Sequence, residues 1–344
     1  MADGEHFVQV RDLRVTYSPE VGAPVRALEG VSLSVARGEI VGILGESGCG
    51  KSTLASALLR LLPTHAKCEA GSISIDGRDL LQLSERELRS IRGKQIAMIP
   101  QDPALSLNPV MTAGSQIGEV LRAHLPLTAT ARRVRVMELL REVGFRGSAG
   151  FDNPEDIYSA YPSQLSGGQR QRIAIAQAIS CRPAFLIADE PTSKFDGSLQ
   201  AEIIALLLQI RQQHGTAILL ISHDPALFAG FADRIAVMYA GRIVEVGNTA
   251  SIFRNPLHPY TQALVRIAAS AAITSGGTRP ECKSTRRTAP LPAIAGESPD
   301  PTSVSHGCRF EPRCSERMEV CSFRYPEEFL PEPSRPVSCF KYGH

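Results

Sequence analysis

The chain has 344 residues, 43% of them hydrophobic, which is enough for more than one average domain and a substantial buried core. Its 37 Lys and Arg against 35 Asp and Glu leave a net charge of +2, so no broad basic footprint marks it as a nucleic-acid binder. No apolar run approaches the roughly 18–20 residues that span a bilayer, and Met1 to His6 lacks the basic and apolar stretches of a secretory leader, so an intracellular protein is expected.

In chain order, Val15-Thr16-Tyr17 reads as strand, and Ile40 to Leu44 as a buried strand leading into a helix over 53–59. Between them lies Gly45-Glu46-Ser47-Gly48-Cys49-Gly50-Lys51-Ser52-Thr53, which fits G-x-x-x-x-G-K-[S/T]. Glycines let such a loop curl until successive N–H groups face an anion, and the helix start adds partial positive charge. Lys51 is then placed for the β- and γ-phosphates of a nucleotide, and the Ser52 hydroxyl for a magnesium ion. Cys49 reads as a small filler whose thiol is accessible when no nucleotide is bound.

Further along, Ile96 to Ile99 reads as a short strand that delivers Gln101, and residues 102–165 carry helical patches such as 131–140. Leu165-Ser166-Gly167-Gly168-Gln169 then opens a helix to Ile179. Ser166 is a good N-cap, Gly167 and Gly168 let a phosphate approach the backbone, and the helix points its positive end forward. A phosphate already held by Lys51 needs no second helix end from the same chain, which hints at a composite site shared with another protomer. The apolar run 184–188 ends in Asp189 and Glu190, at the strand end where open α/β sheets bind ligands. Another strand over 217–221 leads to His223.

A phosphate loop followed by Leu-Ser-Gly-Gly-Gln and a strand ending in Asp-Glu resembles the ABC ATPases, in which two nucleotide-binding domains sandwich ATP. The resemblance implies an α/β fold: a P-loop core with a mixed sheet, an inserted α-helical subdomain and a small Cys-rich C-terminal module. It makes Glu190 the base that polarises the attacking water, His223 the γ-phosphate contact and Gln101 the metal- and water-sensing glutamine. Tyr17 would stack on adenine, while Ser52, Gln101 and Asp189 would hold Mg2+. Pro191 to Asp196 departs from the usual pattern: Lys194 and Phe195 replace smaller residues in a loop that normally crosses the dimer interface, so the partner need not be an identical subunit.

Three later segments narrow the family. Gln101-Asp102-Pro103-Ala104-Leu105-Ser106-Leu107-Asn108-Pro109, Asn255-Pro256-Leu257-His258-Pro259-Tyr260-Thr261, and the cysteine pattern from Gly307 resemble the ATP-binding subunits of oligopeptide and dipeptide importers. The division implied is residues 1–101 with 169–256 as nucleotide-binding core, and 102–168 as helical signature subdomain. Residues 257–305 would form a C-terminal helix and linker, and 306–344 the Cys-rich module. Partners implied are a second, homologous ATPase subunit in a heterodimer, two transmembrane permeases and an extracytoplasmic substrate-binding protein, with this chain peripheral at the cytoplasmic face of the inner membrane. Dipeptides, longer peptides, nickel complexes and glutathione all fit as cargo. A soluble ABC ATPase acting on DNA or ribosomes would need tandem cassettes or a long insertion, neither of which the spacing provides.

Cys308, Cys314, Cys321 and Cys339 are separated by five, six and seventeen intervening residues. Disulfides are disfavoured in an intracellular protein, and no close Cys-x-x-Cys pair of the usual zinc kind occurs. All-cysteine ligation suits a 4Fe-4S cluster, and some members of the resembled subfamily carry one here; zinc and unligated thiols are the alternatives. Cys282, in the linker, reads as a bystander.

Overall fold

A computed structural model describes residues 6–148, 152–275, 293–297, 299, 300, 302 and 306–343. Strands β1 (Val8–Tyr17) and β2 (Val25–Val35) pair antiparallel, and β3 (Ile40–Leu44) runs through the phosphate loop into α1 (Lys51–Leu58). Next come β4 (Ala66–Ile75), β5 (Arg78–Asp79), α2 (Glu85–Ile91) and β6 (Ile96–Ile99). Among the described residues, the α-helices α3 (Pro103–Ser106), α4 (Ala113–His124), α5 (Ala129–Glu142), α6 (Pro154–Ser159) and α7 (Gly167–Ile179) follow before the next strand. The chain then alternates through β7 (Phe185–Asp189), α8 (Gly197–His214), β8 (Ala217–Ser222), β9 (Arg234–Tyr239) and β10 (Arg242–Asn248). After α9 (Thr249–Arg254) and α10 (Pro259–Ser275), a last hairpin is made by β11 (Phe329–Glu332) and β12 (Arg335–Val337).

The strands form two sheets, one antiparallel in the order β2-β1-β4-β5 and one mixed in the order β11-β12-β10-β9-β3-β8-β7-β6. Strands β9, β3, β8, β7 and β6 run parallel, which is why they read as continuous apolar runs: both faces are covered. Side chains alternate across the pleat. Val41 and Ile43 join the core shared with the antiparallel sheet and α1, whereas Ile40 and Leu44 join the core shared with α4, α5, α7 and α8.

Element boundaries shift slightly from the sequence reading. Asp189 is the last residue of β7 rather than the first beyond it, and α1 starts at Lys51, earlier than the apolar pattern suggests. Helix α10 runs through Ser275 into the stretch read as linker; Cys282 lies outside the described residues. The larger difference is at the C-terminal side. Hairpin β11–β12 extends the mixed sheet, with Val337 opposite Glu245 of β10. Its Pro, Glu and Ser content hid it from periodicity.

A buried ion pair fastens this hairpin. Glu245 (0% exposed) accepts from Arg335 Nη2 (4% exposed) at 3.0 Å and also takes the amides of Leu257 and His258. His258 is buried, and its Nδ1 accepts from the Tyr260 amide at 3.1 Å. Burial pushes its pKa down to about 3, so it is neutral.

Candidate functional site

The phosphate loop lines a cavity of about 680 Å3 with Tyr17, Glu46 to Thr53, Gln101, Glu190, Tyr239 to Gly241, Pro299, Asp300 and Arg309. Sequence-distant candidates thus converge on one space. The loop's path needs its glycines: Gly50 has φ of +108°, and a Cβ on Gly45 would come within 2.3 Å of the Met238 carbonyl. Gly50 caps α1 without a side chain, so the helix's first N–H groups face the cavity's anion position. Lys51 is buried and its Nζ donates to the carbonyls of Gly45 at 2.7 Å and Glu46 at 2.9 Å. Tyr17 shares a 3.2 Å hydrogen bond with Thr53 and sits beside the loop rather than in a packed interior. Cys49 differs from expectation: it is only 5% exposed, and burial raises its thiol pKa.

The two carboxylates emerge side by side at the end of β7. Burial raises the pKa of Asp189, opposed chiefly by a hydrogen bond from the Ser52 hydroxyl. Asp189 Oδ1 is buried with no hydrogen-bond partner. An orphaned carboxylate oxygen beside a serine hydroxyl suits a divalent cation, which would offset the desolvation that burial imposes. Glu190, in left-handed backbone with φ of +47°, has its carboxylate 2.7 and 2.8 Å from His223 Nδ1 and accepts its hydrogen bond. His223 itself is 52% exposed.

Ser166, Gly167, Gly168 and Gln169 do not line this cavity. They form an intact capping box, Ser166 accepting from the Gln169 amide while Gln169 Oε1 accepts from the Ser166 amide at 2.9 Å. Ser166 and Gly167 are exposed, so the start of α7 faces outward. The departing loop has local partners: Lys194 is ion-paired with Asp102, and the Phe195 ring lies 3.4 Å from where a Gly167 Cβ would stand.

Cys308, Cys314, Cys321 and Cys339 line one small cavity with His258, Phe310, Met318 and Phe340. Among the described residues, however, no group of three or more His, Cys, Asp or Glu is arranged to hold a metal ion. The four cysteines expected to hold a cluster thus share a cavity without being arranged as a ligand set. Burial raises the Cys308 thiol to about 11 and raises those of Cys314 and Cys339 as well.

Comparison with known proteins fits this geometry. The family model for ABC transporters matches residues 28–193, and that for the oligopeptide/dipeptide transporter C-terminal region matches 244–321. The chain is 40% identical over 337 residues to the dipeptide transport ATP-binding protein DppD of Bacillus subtilis, covering 98% of this chain and 95% of that one. It belongs to the oligopeptide/dipeptide family of ABC transporter ATP-binding proteins. The ABC ATPase is also 40% identical to the oligopeptide transport ATP-binding protein OppD of Escherichia coli over 339 residues, 97% of this chain and 93% of that one. Among solved structures, the ATP-binding cassette MJ0796 as a dimer in a post-hydrolysis state with ADP and Pi superposes with a TM-score of 0.62 at 29% identity. That match covers 70% of this chain and 98% of the cassette.

Sequence reasoning missed several residues at the site of this ABC ATPase. Tyr260 is fully buried, and its hydroxyl accepts from the Glu46 amide at 2.9 Å. Arg309 donates to the Ala240 carbonyl at 2.9 Å and to Glu29 at 2.5 Å, and Arg313 forks onto Glu46. For Arg309 and Arg313 the sequence offered one signal, their place between Cys308 and Cys314. Among the described residues, no helix is long and apolar enough to cross a membrane.

Proposed function

We propose that this ATPase powers peptide import as one of two nucleotide-binding subunits beneath two membrane-spanning permeases, fed by an extracytoplasmic binding protein. The observation that carries the reading is 40% identity to dipeptide and oligopeptide transport ATP-binding proteins over almost the whole chain, including residues beyond the cassette. The protein then sits peripherally at the cytoplasmic face of the membrane. Residues 1–101 and 169–256 serve as the nucleotide-binding core, and 102–168 as the helical insertion that meets the permease. Residues 257–305 link to the Cys-rich module at 306–344.

ATP enters with its phosphates against the N–H groups of residues 45–53 and its adenine on Tyr17. Lys51 exchanges its two loop carbonyls for β- and γ-phosphate oxygens. Magnesium held by Ser52, Asp189 and Gln101 would neutralise charge developing on the transferred phosphoryl. Glu190 accepts the proton of the attacking water, and His223 leaves Glu190 to contact the γ-phosphate. Ser166 to Gln169 act on the partner's nucleotide, in keeping with the exposure of Ser166 and Gly167 and with the absence of all four from the lining of their own cavity. Closure and reopening of the pair convert hydrolysis into alternating access. Lys194 and Phe195 favour a homologous, non-identical second ATPase.

The four tail cysteines sharing one cavity support a 4Fe-4S cluster on Cys308, Cys314, Cys321 and Cys339, which would supply a covalent cross-link across the module. Anaerobic purification with iron, sulfide and zinc assays tests it: iron-free, colourless protein refutes the cluster. For transport, cells lacking this subunit should lose uptake of labelled di- or oligopeptides and regain it with wild type but not Lys51→Ala. Normal peptide uptake in the deletion, or co-purification with ribosomes instead of permeases, would overturn the reading.

A further inference from the structure

Arg309, Phe310 and Arg313 stand between Cys308 and Cys314, and all three reach the wall of the nucleotide cavity. Arg309, 7% exposed, lines it directly. Phe310 is buried against Tyr239 and Tyr260, with ring centroids 5.2 and 5.4 Å away. Arg313, its side chain only 5% exposed, donates from Nη1 to Glu46 Oε2 at 2.7 Å and from Nη2 to Oε1 at 3.0 Å. That fork holds the Arg313 pKa well above its usual range.

Glu46 is the second residue of the phosphate loop, and each of its polar parts is engaged. Its carboxylate takes Arg313, its amide donates to Tyr260, and its carbonyl accepts from Lys51 Nζ at 2.9 Å. A simpler role for Arg313 is to staple the tail to the core. Other contacts already do that: the Glu245–Arg335 pair, the β10–β12 pairing, and the Tyr342 hydroxyl on the Leu257 carbonyl at 3.1 Å. The Arg313 fork is aimed instead at the loop whose shape governs phosphate binding.

We infer that Arg313 is a positioning residue for nucleotide binding, acting from the cysteine-flanked loop through Glu46 on Lys51 and residues 45–53. This deepens the ATPase reading and rests on it. The test uses the full-length subunit, a fluorescent ATP analogue and hydrogen exchange across residues 45–53. Arg313→Met and Glu46→Gln should each weaken nucleotide binding about tenfold, the range of a lost charge-assisted hydrogen bond. The double variant should be no worse than the worse single one, because both remove the same contact. The loss should fall on KM rather than kcat, and exchange across 45–53 should quicken without nucleotide. Affinity within twofold of wild type in Arg313→Met, or additive losses in the double variant, would overturn the inference. If Arg313→Met does not fold, Arg313→Lys keeps the charge without the fork, and unchanged affinity there overturns it equally. Should the wild type itself bind no nucleotide, the ATPase reading fails. The exchange comparison still decides the clamp, since equal rates across 45–53 would refute it.

Discussion

Glu190 holds a backbone conformation that L residues seldom adopt, φ +47°, fixed by its amide donating to the Ile221 carbonyl at 2.9 Å. Strain of this kind costs about 1–3 kcal/mol and persists where surroundings over-determine it. It turns the carboxylate back toward the cavity and His223. Glu190→Gln keeps an acceptor for His223 but removes the negative charge that takes the water's proton. ATP binding should survive while turnover falls roughly 10²-fold or more; phosphate release at saturating ATP measures it, and near-normal release would remove Glu190 from the mechanism. The thiol of Cys49 illustrates a residue misjudged from its neighbours. Sitting in a nucleotide loop suggested access, but its side chain fills the space under Gly45. Nucleotide-free protein treated with a maleimide should therefore label exposed Cys68 well ahead of Cys49, as peptide mass spectrometry would reveal.

At the level of elements, legibility followed locality. Strands β3, β6, β7 and β8 were readable because each is a short apolar run buried on both faces, and the motif residues follow directly from their ends. The pairing of Glu190 with His223 was not readable, since two strand ends meet only through the register of β7 on β8. Hairpin β11–β12 lacked alternation, and its anchoring charge, Arg335, is 90 residues from Glu245. Both members of this pair are buried. Breaking such a pair strands a charge in the interior and costs about 3–5 kcal/mol. Arg335→Met should lower unfolding free energy by that order in urea titrations at fixed pH. A loss under about 1 kcal/mol would mean that the Leu257 and His258 amides alone satisfy Glu245.

Across the whole molecule, nucleotide site, mixed sheet and tail share walls, and His258 stands where they meet, between the cysteine cavity and the Tyr239–Tyr260–Phe310 cluster. Its folded pKa of about 3 lies below the ordinary 6.5, so unfolded chains bind the extra proton. The stability this contributes is complete above about pH 6.5 and declines as pH falls towards 3, by at most about 1.4 kcal/mol per unit. Between pH 7 and 5 the wild type should lose up to about 2 kcal/mol more than His258→Asn, which keeps an acceptor for the Tyr260 amide but does not titrate. Parallel urea stability curves for the two would exclude the histidine as the source. The Glu46–Arg313 contact spans 267 residues, and that separation sets a clock during synthesis. At about 5–20 residues per second, the loop is made roughly 13–53 s before its guanidinium exists. Through that interval a nascent chain has its phosphate-binding lysine but not the brace beneath it. The brace under the phosphate loop is therefore among the last tertiary contacts that a growing chain can make.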